Sequence, residues 1–215
     1  MKIQEHNGKN LSYISSEPDN HCGDLGAIIL MHGFGANMHD LLGIAPMIDQ
    51  ENFLYIFPNA PIKLNQNMGQ RSRSWFSFDD YKKINESQKI LSSTIEESLS
   101  NFSINQDRIF LGGFSQGGMM TIHSDLELNN IFKGAIILSS KVIPDIEINL
   151  GKSLKENSNI FLAHGKTDSI ISIEEGREAN NLLSANGLEV EYHEYQMGHQ
   201  IIEEEMDHLK VWLLK

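Results

Sequence analysis

The chain has 215 residues, a formal net charge of −12 and one cysteine, and its 40% hydrophobic and 21% charged residues exclude a disordered segment. The lone Cys22 excludes an intramolecular disulfide framework and a Cys/His zinc cluster, and the acidic balance repels nucleic-acid backbones and anionic bilayers. The length predicts one domain over residues 1–215; the lack of an apolar run of 18 residues and of an apolar leader at the start predicts a cytoplasmic protein without stable membrane association.

Short apolar runs recur along the chain, each predicting a strand buried on both faces. The first two are Ala27 to Met31 and Phe53 to Phe57. A long connection follows, residues 58–83, with Trp75, Phe76, Phe78 and Tyr81 among polar neighbours; a loop of that length in a compact domain is a lid or a binding segment. Asn85 to Phe102 carries apolar residues near a 3.6 period and predicts a helix. Arg108 to Gly112 is the third strand, followed by helical pattern from Gly118 to Leu128, which would put His123 and Asp125 within a helix. Gly134 to Leu138, Asn159 to Ala163 and Leu188 to Tyr192 complete the strands. A second irregular stretch, 139–155, carries Val142 and Ile143. Ile173 to Ala185, capped by Ser172, and Ile201 to Leu214 are the last predicted helices. Strands alternating with helices imply an α/β fold with a mostly parallel sheet, helices on both faces and no separate cap domain. In such sheets ligands bind at the carboxyl ends of the strands.

One motif sits at such an end. Gly113-Phe114-Ser115-Gln116-Gly117 is a G-x-S-x-G between a strand and a helix, a turn so sharp that a side chain at either glycine would strike neighbouring backbone. Ser115 is thereby exposed at the strand tip. A serine hydroxyl needs a base to take its proton and an acid to orient that base, in the chain order Ser, Asp/Glu, His. Of the histidines after Ser115, only His164 and His199 follow strand ends. His164 leads into Gly165-Lys166-Thr167-Asp168; if that loop supplies the acid, His199 is the base. The oxyanion hole is expected from the N–H of Gln116 and that of Phe34, within His32-Gly33-Phe34-Gly35. His32 itself is expected to make structural hydrogen bonds. Trp75, Phe76, Val142 and Ile143 are the expected substrate contacts, and no metal or cofactor is called for.

These residues together resemble the carboxylesterase/acyl-protein thioesterase (phospholipase/carboxylesterase) family of the α/β-hydrolase fold. The matching pieces are Leu30 to Gly35 with Asp40 downstream, Pro58-Asn59-Ala60-Pro61, Ser74-Trp75-Phe76, Gly112 to Gly118, Leu138-Ser139, His164 to Asp168 and Gly198-His199-Gln200-Ile201. They run in family order over about four fifths of the chain. The resemblance implies a triad of Ser115, Asp168 and His199, and hydrolysis of carboxylic esters or thioesters through an acyl-enzyme. Departures fall in the substrate-facing loops: Ser77 stands where the family often has an acid, and Ser140 to Pro144 replaces a glycine-containing turn.

Small soluble carboxyl esters rank first as substrates, ahead of acyl-protein thioesters and lysophospholipids with long acyl chains. A non-catalytic binding protein on the same fold is the reading from another class. An apolar lid open to solvent would favour a homodimer.

Overall fold

Alternation along the strands sorts the core into two layers, because successive side chains of a strand leave the sheet on opposite faces. Ala27, Ile29 and Met31 point to one face and Ile28 and Leu30 to the other; Leu54 and Ile56 oppose Phe53, Tyr55 and Phe57 in the same way. The computed structural model describes residues 1–21, 24–64, 69, 71–124, 126, 128 and 130–215; Cys22 and Asp125 lie outside them.

The strands are β1 (Lys2–Asn7), β2 (Ser12–Glu17), β3 (Gly26–Met31), β4 (Phe53–Pro58), β5 (Ile62–Lys63), β6 (Arg73–Ser74), β7 (Ile109–Phe114), β8 (Phe132–Leu138), β9 (Leu154–Gly165) and β10 (Glu189–Tyr195). The helices are α1 (Ala45–Ile48), α2 (Ile84–Ser100), α3 (Gln116–Ile122), α4 (Leu150–Ser153), α5 (Ile173–Ala185) and α6 (Glu203–Leu213). Eight strands form one sheet in the order β1-β2-β4-β3-β7-β8-β9-β10. It is parallel from β4 to β10, while β2 runs antiparallel to both β1 and β4. Helices α2, α3 and α5 pack on one face through Leu91, Ile95, Met120, Ala179 and Leu183. On the other, α1 and α6 pack through Ala45, Ile48, Met206, Leu209 and Trp212. The predicted α/β-hydrolase architecture is therefore the observed one.

The six predicted strands are present, with several corrections. Strands β1 and β2 form a hairpin at the sheet edge that the apolar runs did not announce. β1 is largely exposed and β2 buries Ser15 and Ser16 beside Tyr13 and Ile14, so backbone pairing, rather than apolar side chains, carries them. Strand β9 begins at Leu154, within the stretch expected to be irregular. Helix α3 stops at Ile122, and His123 is its C-cap instead of lying within it.

Helix α6 carries a buried acid. Glu205, fully buried, accepts the N–H of Ile202 through Oε2 at 3.4 Å, while Oε1 has no partner among the described residues. Burial pushes its pKa up to about 8 against that one opposing bond. The unfolded chain ionises this group near its ordinary value and the folded chain does not, so stability falls as pH rises between those two points. Glu205→Gln mimics the protonated acid and is expected to stabilise by about 1.4 kcal/mol for each pH unit of that interval. Urea midpoints should therefore be alike for both proteins at pH 4.5 and higher for the variant at pH 8. Equal midpoints at both would disprove an uncharged Glu205.

Candidate active site

The elbow forms because the chain leaves β7 and enters α3 within one residue. Ser115 takes φ +54° and ψ −115°, a left-handed conformation strained for any residue with a β-carbon. The flanking glycines allow it: a β-carbon on Gly117 would run into the carbonyl of Met31, and one on Gly113 into Gly117. Two further bonds hold the turn, Ser115 N–H to the Leu138 carbonyl at 2.9 Å and the Ser140 hydroxyl to the Ser115 carbonyl at 2.8 Å.

Three chain-distant side chains meet here. His199 Nε2 lies 3.0 Å from Ser115 Oγ, and His199 Nδ1 lies 2.7 Å from Asp168 Oδ2. Asp168 Oδ1 accepts the N–H groups of Ile170 at 2.8 Å and Ile171 at 3.0 Å. Burial raises the Asp168 pKa, but the bonds from Ile171, His199 and Ile170 outweigh it and hold the carboxyl below the usual carboxylate range. The Phe114 ring packs on the imidazole of His199, with centroids 4.8 Å apart. His164, the competing histidine, is fully buried; its Nε2 bonds the Ile171 carbonyl at 2.9 Å and braces the Asp168 loop from behind.

The loop from His32 to Gly35 lies against Ser115, with Gly33 packed on Phe114 and the serine. Neither Phe34 nor Gln116 spends its backbone N–H on a partner among the described residues. His32 is structural, as expected. Its Nε2 accepts the Ala60 N–H at 3.1 Å, so Nδ1 carries the proton and donates to the Gly33 carbonyl at 2.8 Å. Burial first, then the Arg73 charge, pushes its pKa down to about 4 despite the bond to Gly33, so the ring is neutral.

The expected substrate contacts divide. Trp75 is fully buried and donates from Nε1 to the His32 carbonyl at 2.8 Å, so it braces the loop and presents no free surface. Ile143 is buried, and its N–H donates to Nε2 of His123, whose Nδ1 bonds the Glu147 carbonyl; Val142 packs half-buried against the same core. Phe76, also buried, does line a cavity of about 240 Å³ with Phe34, Ile62, Leu64, Ser74 and Phe78. Phe78, 43% exposed, packs against Phe34 with centroids 5.3 Å apart and the rings tilted by 55°. Ile62 and Leu64 were not singled out from the sequence, although their alternation with Lys63 is the signal of a two-faced ribbon.

The Gln116 side chain was also missed. It is fully buried; Oε1 accepts the Trp75 N–H at 2.9 Å and the Ser74 hydroxyl at 3.2 Å, and Nε2 donates to the Phe76 carbonyl at 2.9 Å. It fastens the Ser74 to Phe76 segment to the elbow. Among the described residues no cluster of three His, Cys, Asp or Glu side chains could hold a metal ion, and no helix is long and apolar enough to cross a membrane.

A sequence model described as phospholipase/carboxylesterase matches residues 19–215. The chain is similar to acyl-protein thioesterase 1 of Gibberella zeae, at 29% identity over 87% of this chain and 89% of that protein. It is similar to lysophospholipase-like protein 1 of Mus musculus, at 27% identity over 87% and 85% of the two. Among solved structures, the Bacillus cereus carboxylesterase superposes with a TM-score of 0.78 at 21% identity, over 95% of this chain and 94% of that one.

Proposed function

The chain belongs to the phospholipase/carboxylesterase family and is an ester or thioester hydrolase; we propose that it works through an acyl-enzyme on Ser115, with His199 as base and Asp168 as the acid that orients it. The observation that carries this reading is the unbroken line of contacts, 2.7 Å from Asp168 to His199 and 3.0 Å from His199 to Ser115. An ionised Asp168 can only accept, so it holds the proton of His199 on Nδ1 and leaves Nε2 free to take the proton of Ser115. Ser115 Oγ then attacks the carbonyl carbon. The oxygen that becomes negative is met by the free N–H groups of Phe34 and Gln116, each contributing about 2.7–4 kcal/mol to the transition state. His199 passes its proton to the leaving oxygen or sulfur. Water, activated in the same way, releases the acid and restores Ser115.

The acyl group occupies the cavity beside Phe34. About 240 Å³ lies below the roughly 300–1,000 Å³ of pockets that enclose drug-sized ligands. Short acyl groups on small carboxyl esters are the substrates this favours, and Phe76 and Phe78 set the length limit. Across p-nitrophenyl esters of rising chain length, kcat/KM is expected to be highest at acetate or butyrate and to fall at least about tenfold by palmitate, one such step being about 1.4 kcal/mol. Phe78→Ala should extend the tolerated length. A maximum at palmitate would overturn the short-chain reading.

A thioester leaving group is the second reading, favoured by the thioesterase among its relatives. Matched oxygen and sulfur esters of one acyl group separate the two by kcat/KM.

A further inference from the structure

The ribbon of β5 and β6 has two faces of opposite character. Ile62, Leu64 and Ser74 face the acyl cavity. The opposite face carries Arg71 and Arg73, which line a separate cavity of about 290 Å³ together with Ser12, Asn37, His39 and Asn59. Lys63 stands directly across the ribbon from Arg73. Like charges in that position destabilise a strand pair unless something neutralises them.

Among the described residues no carboxylate forms an ion pair with Lys63 or Arg73. The sequence has four arginines. Arg108 and Arg177 are paired, with Asp24 at 3.4 Å and Glu194 at 2.7 Å. Arg71 and Arg73 meet no carboxylate among the described residues, in a chain whose net charge is −12. Glu5 also borders the cavity; its carboxylate, 63% exposed, lies 3.4 Å from His39, a charged partner only when that ring is protonated, and makes no ion pair with either arginine. Unpaired guanidinium groups are thus gathered at a concave site in a protein with a large surplus of acids. Their planar forks match the oxygens of phosphate and carboxylate.

We propose that this cavity binds an anionic oxyacid group, a phosphate or carboxylate, held by Arg71 and Arg73 with the Ser12 hydroxyl and the Asn37 amide at its rim. The site is separate from the acyl cavity but is joined to the oxyanion loop by two backbone bonds, Gly35 N–H to the Arg73 carbonyl and Arg73 N–H to the Ala36 carbonyl, each 2.9 Å. A bound anion therefore acts next to the loop that presents Phe34. The anion is either carried by the substrate or is free in solution; both use the same chemistry.

Titration of the intact protein with inorganic phosphate, followed calorimetrically at low ionic strength, tests the site. Saturable binding is expected, weakened at least about tenfold in Arg71→Ala/Arg73→Ala, weakened by added salt as screening requires, and unchanged in the charge-matched control Arg108→Ala/Arg177→Ala, which also removes two arginines. Melting curves establish that the variants are folded. A second arm compares a neutral ester with one bearing a phosphate on its leaving group. A rise in KM in the double variant for the phosphate-bearing ester alone assigns the anion to the substrate; loss of phosphate binding without that rise assigns it to a free anion. Absence of saturable binding, or equal affinity in the wild type and the double variant, overturns the proposal.

Discussion

Replacing Ser115 by alanine is expected to lower kcat on p-nitrophenyl acetate by about 10⁶-fold while leaving the protein folded. In the proposed mechanism this hydroxyl forms the acyl bond, and its removal leaves the N–H groups of Phe34 and Gln116 to act on a carbonyl attacked by water alone. His199→Ala should cost nearly as much, since a serine without a base is a weak nucleophile. Residues that act as one unit are not additive, so the double variant should be no slower than either single one. Labelling by a fluorophosphonate probe should be lost in step with turnover. Retention of more than about 1% of activity in Ser115→Ala, against the scale expected for a nucleophile, would refute the acyl-enzyme and favour a binding protein with an idle hydrolase site.

Asp168→Asn is expected to reduce kcat about 10⁴-fold, the scale known for losing the acid of such a triad. The reason lies in the bonds around the carboxyl. Oδ1 accepts two backbone N–H groups, from Ile170 and Ile171, so an asparagine must keep its oxygen there. Its NH₂ then faces His199 Nδ1, which has to become an acceptor. The ring proton moves to Nε2 and points at Ser115, and the base is blocked with hardly any movement of heavy atoms. The same bonds make the carboxylate stabilising. Its folded pKa lies below the ordinary value, so the contribution is complete above that value and fades as pH falls through the lowered one. The variant should therefore show a weaker loss of stability in acid, read from thermal midpoints as pH falls from 5 to 2. A loss of turnover under about tenfold, in place of the triad scale, would remove Asp168 from the role of orienting acid.

Much of this architecture was legible in the chain. Runs such as Ala27 to Met31 are apolar at every position and read as strands covered on both faces, and Ser172 as N-cap announces the start of α5, where the structure adds a capping box with Glu175. Other parts carried no such signal. The β1–β2 hairpin has few apolar residues, because an edge strand is held by its backbone. Helix α3 looked longer than it is; its apolar periodicity runs past Ile122, but the chain turns away at His123, whose ring holds the loop of Ile143 and Glu147.

By itself, the sequence determined the parallel sheet, the elbow at Ser115 and the loops that carry Asp168 and His199, because each follows from local rules of periodicity, turn sterics and position after a strand. Only the tertiary structure decided which polar and aromatic side chains face the reaction and which support it. Trp75 and Ile143 proved to be buried struts, Gln116 a clamp on the segment beside the elbow, and Phe78 with Ile62 part of the wall of the cavity beside Phe34 that is proposed for the acyl group. Gathering Arg71 and Arg73 into one unneutralised face was decided at the same level. The physical reason is common to all of them: the bonding partner of each such side chain, or the atom that would have neutralised it, belongs to a segment far away in the chain.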